Sequence, residues 1–262
     1  MSVATPPDTP SPQIGIERIG FVACVEMRQP PHNFFSLDLL TALADAFESL
    51  QSDDSCRAIV LAAQGKSFCA GADFSGGQRS NRDPMTLYAL AVRLFRTTKP
   101  IVAAVQGPAI GGGLGLALVA DFRVACPEAR FSANFARLGF HPGFGLTHTL
   151  PRLIGAQQAA LMFYTGRRID GAQARAIGLA DELAADTVQV RERALALATE
   201  IAASAPLVVE STRATLRAGL ADQVEAAVAR EVVQQRLHFQ SADCREGLTA
   251  AAQRRDPVFT RH

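Results

Sequence analysis

The chain has no tryptophan, two tyrosines and only 6% aromatic residues, which argues against a base-stacking platform for single-stranded nucleic acid. An excess of charge of either sign is also missing. Against 26 Lys and Arg stand 25 Asp and Glu, a formal net charge of +1, so there is no global electrostatic footprint for nucleic acid, though a local basic patch stays open. Lysine itself is scarce: only Lys66 and Lys99 occur, and arginine carries nearly all the basic charge. With abundant alanine, that composition suggests a GC-rich bacterial genome. No long hydrophobic run is present; the longest, from about Gly113 to Ala120, ends at Asp121 and is too short to span a bilayer. The five cysteines are odd in number and lack zinc-like spacing, so they read as reduced thiols of a cytoplasmic protein with no metal site. Met1 to Gln13 carries four prolines without a basic cluster or an apolar core. It fits neither a signal nor a transit peptide and is expected to be a disordered tail. With 262 residues and 48% hydrophobic content, the chain can bury a core without disulfide or metal staples.

What is there is an alternation of strands and helices. Gly20 to Met27 alternates and carries β-formers, which predicts a strand. Ser36 is an N-cap candidate for a helix to about Leu50. Arg57 to Ala63 and Ile101 to Val105 are short apolar runs, expected as strands buried on both faces. Gly65 to Arg82 reads as a loop, and Pro84 to Arg96 as a helix. Gly111, Gly112 and Gly113 make a turn that opens a helix over Leu114 to Val119, followed by a strand at Phe122 to Ala125. Beyond residue 150, Ala, Arg, Glu and Gln at helical spacing predict about five short helices and no strand. The layout is a two-layer α/β core with a helical appendage.

Three segments have the composition to carry chemistry: Phe68 to Asp73, Gly107 to Gly113, and Leu138 to Gly145. A strand, three glycines and a helix put backbone N–H groups at a helix N-terminus, where negative charge is held well. The spacing does not suit a phosphate loop. Leu116 stands where a dinucleotide fingerprint needs Gly or Ala, and no Gly-Lys-Ser/Thr follows. The glycines could equally serve only close packing. Taken with the turn at Phe68 to Asp73, however, two N–H groups could converge on one carbonyl oxygen as an oxyanion hole.

On these segments, together with Lys99–Gly107, Thr165–Leu179 and Ser241–Phe259, the sequence resembles the enoyl-CoA hydratase/isomerase (crotonase) family from about Ile14 to Phe259. The resemblance implies a crotonase-like α/β fold: a core of repeated ββα units over residues 14–200 and a helical C-terminal region over 201–262 that assembles homotrimers, often paired into hexamers. It also implies an acyl-CoA thioester ligand, with coenzyme A entering as part of the substrate rather than as a cofactor. The thioester oxygen would be held by the N–H groups of Ala72 and Gly112. No nucleic-acid or membrane partner is implied.

The family's hydratases use two glutamates, and at those positions this sequence has Gly115 and Phe135. A third position, an aspartate in some isomerases and a dehalogenase, is Gly143. Losing one acid–base group typically costs about 10²–10⁴ in rate, so efficient hydration is not expected. His141, on the turn bordering the family's acyl pocket, is the candidate substitute base; otherwise it bonds a nearby carbonyl or faces solvent. His148 is read as structural, Asp73 as support for its turn, and Cys69 as a small packing residue. Tyr88 is expected on the flanking helix, able to donate to an acyl substituent, and is otherwise a core aromatic. Ala70 and Phe74 fall in the first turn and join the acyl pocket by the same resemblance. Phe34, Phe35, Phe135, Phe140 and Phe144 are candidates for the same apolar wall, against ordinary core packing. Arg28 and Arg137, and Arg254 and Arg255 reaching from a neighbouring subunit, are candidate contacts for coenzyme A phosphates, against solvated surface charge. The expectation is a thioester-binding enzyme with a kept oxyanion hole and non-standard acid–base chemistry, an isomerase or specialised lyase or hydrolase within fatty acid metabolism. A non-catalytic acyl-CoA binder of the same fold is the alternative, and a dinucleotide-binding domain is a third reading that the missing glycine disfavours.

Overall fold

A computed structural model describes residues 13–74 and 83–262. The expected N-terminal tail, apart from Gln13, and the end of the Gly65 to Arg82 loop lie outside the described residues.

The chain opens with a hairpin. β1 (Ile14–Ile19) and β2 (Val22–Met27) pair antiparallel through Gly20 and Phe21, with Gly20 at φ +58°, the positive φ that such a two-residue turn requires. Every residue of β2 is buried. The chain then enters α1 (Leu37–Gln51), where the Ser36 hydroxyl accepts the Leu39 N–H at 3.2 Å, satisfying one of the free donors of the first turn. β3 (Ala58–Ala63) follows, and then α2 (Pro84–Phe95), capped by Asp83 on the Met85 N–H at 3.2 Å with Pro84 in the first turn. Next come β4 (Ile101–Val105), β5 (Ala109–Ile110), α3 (Gly112–Ala117) and β6 (Phe122–Ala125). After β7 (Arg130–Ser132) lies a single helical turn, α4 (Phe135–Leu138).

The remainder is α5 (Leu146–Ile154), α6 (Ala156–Thr165), β8 (Ile169–Asp170), α7 (Gly171–Ala176), β9 (Glu182–Leu183), α8 (Gln189–Ala202), α9 (Pro206–Leu216), α10 (Leu220–His238) and α11 (Ala242–Gln253). From α5 onward there are seven helices among the described residues, more than expected. The segment read as strand-free holds β8 and β9. Two residues each, they are too short to show an alternating pattern. β1 also escaped the sequence reading, and the strand expected from Gly20 begins at Val22.

The main sheet runs β1-β2-β3-β4-β6-β9 and is parallel apart from the β1 edge. α8 packs across β2, β3, β4 and β6, while α1 and α2 pack together, with α10 against α2. All of β4 and all but the last residue of β3 are buried, as the composition of these apolar runs requires. A second sheet, β5-β7-β8, carries the site: Cys69 forms a parallel bridge with Ala109 and so hangs the first turn on its edge. α9 is fastened to the core by Asp121, which accepts from the Ile101 N–H, Arg213 and Arg217 at 2.8 to 2.9 Å. All five cysteines are free and buried. Among the described residues no single helix is long and apolar enough to cross a membrane.

Candidate active site

The two turns singled out in the sequence are locked together by backbone. The Cys69 N–H donates to Pro108 O at 3.1 Å, and the Ile110 N–H returns a bond to Cys69 O at 3.0 Å. The chains touch so closely that a Cβ on Gly113 would overlap the Cys69 carbonyl, and one on Gly71 would come 2.7 Å from Ile110 O. Only glycine permits that approach. The Ala70 N–H is used on His32 O and the Gly111 N–H on Ser132 O. Among the described residues, the N–H groups of Ala72 and Gly112 have no acceptor. Both residues line one cavity of about 630 Å³.

The rest of that cavity is apolar. Phe35, Phe74, Phe135, Phe140 and Phe239 line it with Ile110 and Leu138. The rings form edge contacts: Phe74 to Phe140 at 5.9 Å and Phe135 to Phe140 at 5.7 Å, a geometry aromatic quadrupoles favour. Charged lining residues (Asp73, Asp83, Arg130 and Arg168) are exposed. The buried polar pair on the wall is Tyr88 and Gln235. Burial, with the Glu231 charge adding to it, pushes the Tyr88 hydroxyl above its ordinary pKa, so it stays neutral.

The three positions where the family resemblance implies carboxylates, Gly115, Phe135 and Gly143, have other surroundings. A Cβ on Gly115 would lie 2.6 Å from the Phe144 ring, so that ring fills the space. Phe135 presents an aromatic edge. Gly143 backs onto Tyr88: a Cβ there would overlap the hydroxyl and come 2.6 Å from Gln235 Nε2.

Of the residues expected in the site, Ala70, Ala72, Phe74, Tyr88, Gly112 and Phe135 line the cavity together, as do Phe35 and Phe140. Others require correction. His141 is not on the wall: its Nδ1 lies 2.8 Å from Pro142 O and its ring stacks on His238 at 6.2 Å. A proline carbonyl one residue away captures the ring, which motif position alone could not show. Phe144 is fully buried behind the wall, between Phe35 and Tyr88 at 6.2 and 6.3 Å. Phe34 packs beside His32 at 5.3 Å instead of lining. Arg28 lies over Gly15 and pairs with Glu26 at 3.1 Å, away from the cavity. Arg137 pairs with Asp256 and does not line the cavity; Arg255 pairs with Glu246 at 2.5 Å within its own chain, and the expected reach of Arg254 and Arg255 into a neighbouring subunit's site concerns an assembly beyond this single chain. His148, within α5, sits outside it too, its pKa lowered chiefly by burial. Cys69 is fully buried, which raises its thiol to about 12 and makes it inert. Asp73 lines the mouth.

Sequence reasoning missed His32 and Gln235. His32 lines the cavity with Nδ1 3.4 Å from Ser67 Oγ; its place after two prolines marked only a break in the chain. Gln235 lies 147 residues from Tyr88, and nothing local in α10 distinguishes it.

A chain with this fold, two such turns and an apolar cavity beside them has the layout of a thioester-binding α/β protein. The family profile for enoyl-CoA hydratase/isomerase matches residues 17–262. A Bacillus subtilis (strain 168) protein named "Probable enoyl-CoA hydratase" is 32% identical over 245 residues, covering 91% of this chain and 95% of that one. The crystal structure of an enoyl-CoA hydratase/isomerase from Pseudoalteromonas atlantica T6c superposes with a TM-score of 0.84 at 28% identity, covering 95% of this chain and 100% of that one. An enoyl-CoA hydratase from Mycobacterium avium subsp. paratuberculosis K-10 gives a TM-score of 0.84 at 25% identity, covering 96% and 100%. The chain belongs to the enoyl-CoA hydratase/isomerase family.

Proposed function

We propose that the protein is an acyl-CoA enzyme that stabilises a thioester enolate, or a related anion, between the N–H groups of Ala72 and Gly112. Its reaction is an isomerase or specialised lyase or hydrolase step, not plain hydration. The observation that carries this reading is the meeting of two glycine-locked turns on one cavity with both N–H groups unaccepted. Each such donor is worth roughly 3–4 kcal/mol to an anionic transition state, and the apolar wall strengthens both dipoles by keeping water out. Hydration needs a positioned acid and base. Gly115, Phe135 and Gly143 supply neither, and the Phe144 ring and the Tyr88 hydroxyl take their space. Proton transfer falls to water, to the substrate or to His32, the imidazole that lines the cavity. Assembly as a homotrimer or a pair of trimers belongs to the same proposal, on the family resemblance.

The filling of the Gly115 space by Phe144 favours a second reading, a non-catalytic acyl-CoA binder. Incubation with saturated, unsaturated and aromatic acyl-CoAs in deuterated water separates the two. Protein-dependent deuterium uptake at the α-carbon is expected for the enzyme. No uptake from a thioester that demonstrably binds would leave the binder.

A further inference from the structure

The polar pair at the buried wall has an unusual hydrogen-bond account. Gln235 Nε2 lies 2.9 Å from His141 O and 3.0 Å from the Tyr88 hydroxyl. A carbonyl can only accept, so the amide nitrogen must face His141, and this fixes the orientation of the amide. Both hydrogens of Nε2 are then committed, one to His141 O and one to the Tyr88 oxygen. Tyr88 is left as an acceptor from Gln235 with its own hydrogen to place. Among the described residues its remaining acceptor is Gln235 Oε1, at a longer 3.3 Å. A neutral donor is therefore held at the cavity wall, weakly engaged and free to turn toward a better acceptor.

The surroundings decide what that acceptor is. Glu231, on the same helix, takes the N–H groups of Gly145 and Thr147 and the Thr147 hydroxyl at 2.6 to 2.9 Å, the acceptor pattern of an ionised carboxylate; burial raises its carboxyl above the ordinary value, and these donors work against that rise. Its charge acts on Tyr88. Among the described residues no cation lines the buried wall; Arg130 and Arg168 lie on exposed parts of the cavity. A second carboxylate brought to Tyr88 would lose its hydration and meet like charge without compensation. A hydrocarbon chain would leave the phenol hydrogen with its long bond.

We propose that Tyr88, held by Gln235, is a specificity-determining residue selecting coenzyme A thioesters whose acyl group carries a neutral oxygen acceptor (keto, ether or hydroxyl), over hydrocarbon acyl groups and over those ending in a free carboxylate. This rests on the cavity being the acyl pocket, as proposed above, and names the class of acyl group it takes.

The test is calorimetric binding of a chain-matched panel to the full chain: a saturated acyl-CoA, keto- and hydroxyacyl-CoAs with the oxygen moved along the chain, and a dicarboxylic monothioester. At least one oxygenated member should bind about tenfold more tightly than the hydrocarbon, and the carboxylate least tightly. Tyr88→Phe should erase that preference. Equal or tighter hydrocarbon binding by the wild type overturns the inference without any variant. So does tightest binding of the carboxylate, or a preference that survives in a Tyr88→Phe protein with a cooperative melt. If thioesters bind without discrimination, the specificity alone fails. If folded protein binds no thioester, the reading of the cavity fails with it.

Discussion

The two halves of the cavity are built on different principles. On one side, Cys69 to Asp73 and Gly111 to Gly113 make their contribution through backbone, held by carbonyl–amide bonds and by approaches only glycine allows. On the other, the wall works through side chains: aromatic rings from Phe135 to Phe144 and the neutral Tyr88–Gln235 pair stand beside the positions where the resemblance implies carboxylates. A backbone site survives many substitutions nearby because it depends on chain path. A side-chain site can be rewritten by three replacements. Ligand recognition and proton chemistry can thus part company within one cavity, and on the proposed reading family membership here does not carry the hydratase mechanism with it.

The comparison is most sharply broken on the backbone side. Gly113→Ala drives a methyl group into the Cys69 carbonyl and should cost about 3 kcal/mol or more, with acyl-CoA binding lost; calorimetry and thermal melting read both. On the other wall, Phe144→Ala should cost about 3–5 kcal/mol, as for a fully buried ring, yet retain thioester binding. Loss of binding there as great as in Gly113→Ala would dissolve the distinction between the halves. Gly115→Glu restores a hydratase carboxylate in name only, because the Phe144 ring already lies 2.6 Å from its Cβ. Overpacking of about 1–3 kcal/mol, seen as a lowered melting temperature, and no gain in enoyl-CoA hydration are expected. The smallest effect is a reporter. With its thiol raised to about 12 by burial, Cys69 stays protonated and should resist alkylation at pH 8.5 in the wild type. The sign follows from burial disfavouring the thiolate. In Gly113→Ala the same cysteine should label, showing that the turn has opened.

The glycine turn was legible in the sequence, because three glycines after an apolar strand describe a chain path directly; its pairing with Ala72 rested on the family resemblance. That Gly115, Phe135 and Gly143 stand where carboxylates are implied came from the family resemblance and not from any local pattern. What fills those places was not legible. Phe144 was expected on the wall, but its ring turns inward against Gly115 from a left-handed backbone position, φ +65°. Gln235 reaches Tyr88 across 147 residues of sequence, a contact set by the packing of α10 on α2. His141 carried the right chemistry and the wrong direction, its ring drawn to Pro142 O. Side-chain aim depends on tertiary neighbours that no local pattern encodes.

The central claim, that thioester recognition is kept while hydratase chemistry is not, is tested most directly by one titration with a short 2-enoyl-CoA. Binding heat and loss of the enoyl absorbance are followed in the same sample. The account predicts saturable binding, with hydration slower than that of a glutamate-bearing relative by about 10²–10⁴ or more. Hydration at the relative's rate would contradict it, since an acid and a base would then be acting despite Gly115, Phe135 and Gly143.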